Sequence, residues 1–145
     1  MSKSRTFVIC KPDAVERGLS GEILARLERK GLRLVAAELR SIDEVTAKTH
    51  YGEHDGKPFF ADLVAFITRS EALLVVLEGP EGTWQIVRTL MGATNPKEAA
   101  PGTIRGDLGT LLTENLVHGS DSAEAAEREI ALFFPDLAGG DADPV

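Results

Sequence analysis

Short apolar runs alternate with amphipathic segments along most of the chain. Three runs, at residues 6–10, 34–39 and 72–77, have the length and composition of single strands. The first run is apolar throughout, which is typical of a strand buried on both faces of a sheet. Leu116 and Val117 predict a short fourth strand.

Helical spacing of apolar residues fills the segments between the strands. Ser20 is placed to cap the first helix, Gly31 to close it, and Gly92 to end the fourth. Residues 11–14 (KPDA) are predicted to form a turn. The predicted helices cover residues 21–30, 43–51, 58–67, 80–91 and 122–134.

This order of elements predicts an α/β (α+β) fold of the ferredoxin-like type. We expect a βαββαβ sandwich in which helices pack on one face of a four-stranded antiparallel sheet. Residues 1–137 form one domain, and residues 138–145 form a short, acidic, flexible tail. Residues 93–114 show no periodicity, and connections of that length are usually functional or interfacial.

Composition narrows the class of protein. A hydrophobic content of 43% and a charged content of 27% are ordinary for a globular domain. The net charge of −7 argues against general nucleic-acid binding, and no apolar run approaches membrane-spanning length. The single cysteine, Cys10, reads as a core residue and, without an export-type leader, predicts a cytoplasmic location.

The segment 115–122 (NLVHGSDS) is the strongest candidate for chemistry. His118 lies between the short fourth strand and the start of a helix that Ser120, Asp121 or Ser122 can cap. Anions bind readily at a helix N-terminus, and an imidazole placed there can take up a phosphoryl group as a nucleophile. A partly buried histidine without chemistry fits these eight residues equally well.

Phosphate binding here has to rely on side chains. Neither a G-x-x-x-x-G-K-[ST] motif nor a G-x-G-x-x-G motif occurs. Lysine and arginine bind phosphate oxygens as a point charge and as a planar fork. The candidates are Lys11, Arg88, Thr94 and Arg105, each of which taken singly also fits a solvated surface residue.

Several motifs together closely resemble the nucleoside diphosphate kinase family. The resemblance covers nearly the whole chain up to about residue 135, with the motifs in the order and spacing of the family. The pair PGTIRGD and N-x-x-HGSDS is highly specific. The motifs are KPDA, RGL-GE, HYGEH-GKPFF, TNP, PGTIRGD and NLVHGSDS-EAAEREI.

The resemblance implies a phosphotransferase that moves the terminal phosphoryl group from a nucleoside triphosphate to a nucleoside diphosphate through a phosphohistidine. His118 matches the nucleophile, Glu129 the carboxylate that orients it, and Ser120 a hydroxyl between the two. The matching substrate-binding positions are Lys11, Tyr51, Phe59, Arg88, Thr94, Arg105, Leu112 and Asn115.

The local sequence around Glu129 does not by itself indicate a catalytic role. Glu129 lies seven residues after Ser122, roughly 10 Å along a helix, so His118 has to fold back beside the helix to reach it. Its local sequence by itself favours a solvent-facing carboxylate. His50 and His54 are interpreted as surface or packing residues with no metal-ligand partner.

The resemblance also implies cofactor and partners. Mg²⁺ is expected to bridge the nucleotide phosphates, without a metal site built from protein ligands alone. The partners are nucleoside di- and triphosphates and further copies of the chain, a hexamer or alternatively a tetramer. A nucleotide-binding regulatory module and a histidine phosphodonor to proteins are the competing functions.

Four departures from the family pattern stand out. Ala14 replaces a usual glycine, Leu108 a usual aromatic residue and Phe133 a usual tryptophan, and the last two read as repacking. The stretch 110–114 (TLLTE) differs from the common pattern, with Glu114 in place of a basic or apolar residue. The unusual stretch 110–114 puts subunit contacts near the site in question more than the chemistry.

Overall fold

Four strands form one sheet in the computed structural model, which describes residues 3–137. The strands are β1 (Lys3–Cys10), β2 (Arg33–Arg40), β3 (Ala72–Pro80) and β4 (Val117–Gly119). Their order across the sheet is β2-β3-β1-β4, and each neighbouring pair is antiparallel. The predicted four-stranded antiparallel sheet is therefore confirmed. The predicted flexible tail, residues 138–145, lies outside the described part of the chain.

Helices connect the strands. They are α1 (Pro12–Glu16), α2 (Ser20–Arg29), α3 (Glu44–His50), α4 (Phe60–Thr68), α5 (Thr83–Met91), α6 (Ile104–Leu108) and α7 (Ala123–Phe133). Short 3₁₀ turns occupy Gly52–His54 and Pro135–Leu137. Within residues 3–137, none of the helices has the length and hydropathy to cross a membrane.

Two short helices lie where the sequence predicted none. α1 replaces the turn predicted at residues 11–14, because proline is favoured in the first turn of a helix and Asp13 adds a favourable acidic group there. α6 lies inside the segment without periodicity, where the Thr103 hydroxyl accepts a hydrogen bond from the Gly106 N–H at 3.0 Å. A single capped turn is too short to show helical spacing.

Three helix starts also differ from the prediction. α2 already includes Ser20, its preceding residue is Leu19, and no side chain caps it. α4 begins at Phe60, two residues later than predicted. α5 begins at Thr83 because β3 continues to Pro80, which pairs with Lys3 of β1.

Helices cover both faces of the sheet, so the expectation that they pack on one face was wrong. Side chains of α1, α2 and α5 pack against one face, and those of α3, α4 and α7 pack against the other. The physical reason is the composition of the central strands. Phe7 and Ile9 point to one face of β1 and Val8 and Cys10 to the other, and all four are at most 1% exposed.

This arrangement fixes the position of His118. β4 lies at the edge of the sheet, where His118 pairs with Ile9 of the buried strand β1. α7 follows directly, packs on β1, and is capped by the Ser122 hydroxyl, which accepts the Ala125 N–H at 2.9 Å. The chain therefore turns back on itself as predicted and brings the side of α7 to the end of β4.

Candidate active site

One buried carboxylate joins the three predicted catalytic residues. Glu129 on α7 is 5% exposed. Its Oε2 lies 3.0 Å from Nε2 of His118, and its Oε1 accepts a hydrogen bond from the Ser120 hydroxyl at 2.5 Å. His118 on β4 and Ser120 directly after that strand therefore both contact α7. The carboxylate, and not the Ser120 hydroxyl as expected, therefore stands between the other two groups.

The contact with Glu129 assigns the histidine tautomer. When the His118 ring carries one proton, that proton belongs on Nε2, which donates to the carboxylate. Burial alone would raise the pKa of Glu129, but the hydrogen bond and charge of His118 and the hydrogen bond of Ser120 hold that pKa below its usual value. The lone pair of Nδ1 is therefore left available for bonding.

A second histidine packs against this pair. The rings of His50 and His118 are edge to face, with centroids 4.6 Å apart, and the His50 imidazole is 3% exposed. Burial, followed by the charge of His118, lowers the pKa of His50 to about 3. His50 is a packing residue as expected, but the expectation that no ligand-type partner lies near it was wrong: its Nδ1 is 3.7 Å from Oε2 of Glu129.

A cleft opens beside these groups. Arg88 donates from Nη1 to the Gly119 carbonyl at 3.2 Å, which holds its guanidinium at the cleft wall. The Tyr51 ring lies 4.7 Å from the His50 ring, and burial and the charge of Glu129 raise the pKa of its hydroxyl to about 12. The lining residues are His50, Tyr51, Glu53, His54, Arg88, His118, Gly119, Asp121, Arg128 and Glu129.

Asn115 joins four of the predicted substrate-binding residues. Its Oδ1 accepts from Nζ of Lys11 at 2.9 Å, and its Nδ2 donates to the Thr94 carbonyl at 3.1 Å. Its own carbonyl accepts from Nε of Arg105 at 3.1 Å. Residues that lie up to 104 positions apart in the sequence are thus held in one network.

Arg105 is buried and supports the backbone of the site. Besides Asn115, its guanidinium donates to the carbonyls of Gly92 at 3.0 Å and Val117 at 2.6 Å. Burial and the nearby charge of Arg88 lower its pKa to about 10. Three of its five N–H groups serve these carbonyls, so a role in phosphate binding falls to the remaining two and stays a prediction.

The backbone just before His118 is strained. Leu116 is fully buried and has a φ of +76°, a conformation that residues with a Cβ rarely adopt. The Asp13 carboxylate accepts its N–H at 3.1 Å, and its carbonyl accepts the Lys11 N–H at 2.9 Å. The KPDA segment therefore clamps the strained residue between Asn115 and His118.

The two residues predicted to contact the base are exposed. Phe59 is 45% exposed, and its ring lies 5.2 Å from that of His54 at the cleft. Leu112 is 55% exposed on the unusual stretch 110–114. That stretch is tied down by Glu114, which pairs with Arg69 at 3.0 Å. Their exposure leaves both side chains free to contact a ligand, and their role stays a prediction.

The other departures are packing changes, as predicted for Leu108 and Phe133. Leu108 packs against the core on the α1 side of the sheet. The Phe133 ring stacks on Phe7, with centroids 4.8 Å apart and planes 12° from parallel. Ala14 is fully buried in α1, where alanine is a good helix former.

Comparison with known proteins decides the family. The sequence profile of the family described as "Nucleoside diphosphate kinase" matches residues 4–138. The chain belongs to this family. Nucleoside diphosphate kinases of Saccharopolyspora erythraea and Parafrankia are 58% and 54% identical to it, covering 92% and 95% of the chain and 98% and 100% of their own lengths.

Solved structures agree with this membership. A halophilic nucleoside diphosphate kinase from Halobacterium salinarum superposes with a TM-score of 0.90 at 53% identity. The match covers 97% of the present chain and 93% of that structure. The ferredoxin-like fold is thereby confirmed, together with the activity: the chain transfers the terminal phosphoryl group of a nucleoside triphosphate to a nucleoside diphosphate by a ping-pong mechanism through a phosphohistidine.

Six residues that line the cleft were not among the predicted site residues: His50, Glu53, His54, Gly119, Asp121 and Arg128. His50 and His54 were interpreted as surface or packing residues, and the proximity of His50 to Glu129 depends on how α3 packs against α7. Asp121 and Arg128 lie beside predicted site residues in the sequence. Their proximity to His118 and Glu129 was the one signal that could have identified them.

Lys11 predicts a pH dependence of nucleotide binding. Burial and the charge of Arg105 lower its pKa to about 8, with Asp13 acting in the opposite direction. The ammonium form, which the predicted role of Lys11 in phosphate binding requires, is therefore lost as the pH rises through 8. We expect the affinity for ADP to fall about tenfold between pH 7 and pH 9, measured by calorimetry. Lys11→Arg stays charged and should flatten the profile, whereas a flat wild-type profile would contradict the assignment.

Proposed function

We propose that His118 is the residue that takes up the phosphoryl group, and that it attacks through Nδ1. The observation that carries this proposal is the 3.0 Å contact between its Nε2 and the buried carboxylate of Glu129. That contact leaves the other ring nitrogen unprotonated in a half-open cleft, with the His118 side chain 22% exposed. A nucleophile oriented by a carboxylate is the arrangement that such catalysis needs.

In the first half-reaction, the Nδ1 lone pair forms a bond to the terminal phosphorus. The bond from phosphorus to the bridging oxygen breaks, and the nucleoside diphosphate leaves with that electron pair. The ring then carries positive charge, which the Glu129 carboxylate balances through the Nε2 proton. Ser120 holds the second carboxylate oxygen, so Glu129 does not need to reorient. The second half-reaction reverses these steps with the acceptor diphosphate.

The cationic side chains supply the phosphate site in this proposal. Lys11 and Arg88 provide positive charge, and the hydroxyl groups of Tyr51 and Thr94 provide hydrogen bonds. Arg105 supports the backbone of the site through its hydrogen bonds to the carbonyls of Gly92 and Asn115. Lys11 and Asn115, already bonded to each other at 2.9 Å, would contact the sugar hydroxyls. Phosphoryl transfer depends mainly on this positioning and charge neutralisation.

The donor set fits a magnesium ion that arrives with the nucleotide. Mg²⁺ prefers oxygen ligands and commonly binds through one or two carboxylates together with substrate phosphates. Asp121 is exposed at the cleft and offers one such carboxylate, whereas Glu129 already bonds to His118 and Ser120. Mg²⁺ held there with the nucleotide would neutralise the charge that develops on the phosphates.

Two further parts of the proposal concern the oligomeric state of the protein and its location in the cell. β2 lies at the edge of the sheet, and Leu34 and Leu39 on it are 36% and 50% exposed. An apolar edge strand of this kind is a surface for pairing with another chain, which supports a homo-oligomer, a hexamer or alternatively a tetramer. A cytoplasmic location is supported by the buried free thiol of Cys10.

The nucleophile assignment predicts two distinct mutant phenotypes. His118→Ala should fold, bind ADP and lose transfer from ATP to GDP together with the phosphoenzyme. Glu129→Gln should still form the acid-labile phosphoenzyme, but more slowly, because the carboxylate orients the ring and does not itself react. Rapid-quench measurement of phosphoenzyme from labelled ATP with Mg²⁺ distinguishes the two. Turnover by His118→Ala above trace contamination would contradict the assignment.

Base contacts predict weak base selectivity. Phe59 and Leu112 can stack on any base but cannot read a hydrogen-bonding edge, and stacking contributes about 1–3 kcal/mol. The Halobacterium salinarum relative was solved in complex with CDP, which supports binding of a pyrimidine. ATP, GTP, CTP and UTP should serve as donors within about two orders of magnitude in kcat/KM. A preference of several orders for one base would reveal a base-reading group.

The assembly inference predicts that sedimentation at micromolar concentration detects a hexamer or a tetramer. Pro101 is exposed at the loop before α6, where subunit contacts would order the chain. Pro101→Ser should therefore lower the thermal stability of the assembly more than it lowers the activity at 25 °C. Sedimentation that finds only monomer would refute the oligomer.

A further inference from the structure

Three side chains at the base of the catalytic cleft form a group of metal-ligand type. One nitrogen of His50, one nitrogen of His118 and one oxygen of Glu129 all lie within 4.8 Å of one another. We propose that these residues form a binding site for a zinc-class transition-metal ion, and that the bound ion inhibits the kinase. This site is separate from the Mg²⁺ that accompanies the nucleotide.

The distances suit a zinc ion with little movement. Zinc binds imidazole nitrogen and carboxylate oxygen at about 2.0–2.2 Å, so two ligand atoms of a tetrahedral site lie about 3.4 Å apart. Oε2 of Glu129 is 3.0 Å from Nε2 of His118 and 3.7 Å from Nδ1 of His50, on either side of that value. Two histidines and one carboxylate leave the fourth position open, as in catalytic zinc sites.

His50 supplies an observation that is independent of the distances. Its imidazole is 3% exposed, and neither ring nitrogen has a hydrogen-bond partner within residues 3–137. Buried polar groups are rarely left without partners, and such a group calls for an explanation. A metal ion bound to one of these nitrogens would give it the partner that the described residues do not supply.

Charge and ligand type select the class of ion. The cleft lining carries three carboxylates, Glu53, Asp121 and Glu129, against the two guanidinium groups of Arg88 and Arg128. Two nitrogen ligands and a single oxygen ligand do not satisfy Mg²⁺ or Ca²⁺, which prefer oxygen donors, but they suit zinc and its neighbours. The millimolar Mg²⁺ that accompanies nucleotides would therefore not fill this site.

A metal bound here would act on the nucleophile. Coordination through Nε2 of His118 uses the lone pair of that nitrogen, so the ring proton moves to Nδ1, the nitrogen proposed to attack phosphorus. It also engages the carboxylate that balances the positive charge formed when Nδ1 takes up the phosphoryl group. Phosphoenzyme formation should therefore be slower while the metal is bound, and chelation should restore the rate.

The binding experiment uses tag-free, chelator-treated protein without nucleotide, with Zn²⁺ and Co²⁺ as the probes. Wild type should bind one equivalent of Zn²⁺ in competition with a colorimetric chelator, and Co²⁺ should show the visible absorption of four-coordinate geometry. His50→Gln should bind at least about tenfold more weakly and lose the absorption, since even outer-shell changes cost about 10–100-fold.

Matched controls come from the same cleft. His54→Gln removes a histidine that lines the cleft but is not in the group of three, and it should bind Zn²⁺ like wild type. If His50→Gln does not fold by circular dichroism, His118→Ala provides the same comparison. Equal zinc affinity of wild type and the folded ligand variants would overturn the site, and the His50 nitrogens would then be satisfied by water.

The kinetic arm separates this proposal from the assignment of the nucleophile. Zinc-loaded wild type given a short pulse of ATP with Mg²⁺ should form phosphoenzyme more slowly than metal-free protein, and His50→Gln should lose this sensitivity to zinc. Zinc bound to the three residues with no change in the phosphoenzyme rate would overturn the inhibitory role. Metal binding is measured without nucleotide, so the result of the binding experiment does not depend on the transfer assay.

Discussion

The active site depends on one buried carboxylate that has two hydrogen-bonding partners. Glu129 is 5% exposed, and its two oxygens bond separately to His118 and Ser120. A buried charge is costly unless it is satisfied, so these contacts also hold α7 against β4. The interaction that stabilises this part of the fold is therefore the one that places the proton of His118, the proposed nucleophile, on Nε2.

The rest of the fold serves to present this contact in a rigid setting. β1 is buried on both faces and pairs with β4 at Ile9 and His118. α7 packs on β1 from the same side, and the Phe7 and Phe133 rings stack beneath the site. The Glu129 contact and the neighbouring rings of Phe7 and His50 restrict rotation of the His118 ring, so the proposed catalytic geometry is present before a nucleotide binds.

Local patterns in the sequence were sufficient to predict the four strands and most of the helices. The uninterrupted apolar run in β1 predicted burial on both faces, and helices on both sides of the sheet provide that burial. α1 and α6 were not predicted, because a helix of five residues is too short to show a helical repeat of apolar positions. The motif resemblance located Glu129, whereas its local sequence alone would have placed it in solvent.

Contacts between distant segments could not be read from the sequence. His50 and Glu129 are 79 positions apart, and their proximity depends on how α3 packs against α7. The position of Glu129 between His118 and Ser120 likewise depends on the geometry at the end of β4. The three hydrogen bonds from the buried Arg105 guanidinium to backbone carbonyls are likewise visible only in the structure.

The tautomer of His118 tests the central claim most directly. Nitrogen-15 NMR of the imidazole-labelled protein, free of nucleotide and metal, distinguishes a protonated from an unprotonated ring nitrogen. The geometry predicts that the neutral ring carries its proton on Nε2 and that this preference weakens in Glu129→Gln. A neutral ring protonated on Nδ1 in the wild type would contradict the claim that Glu129 prepares Nδ1 for attack.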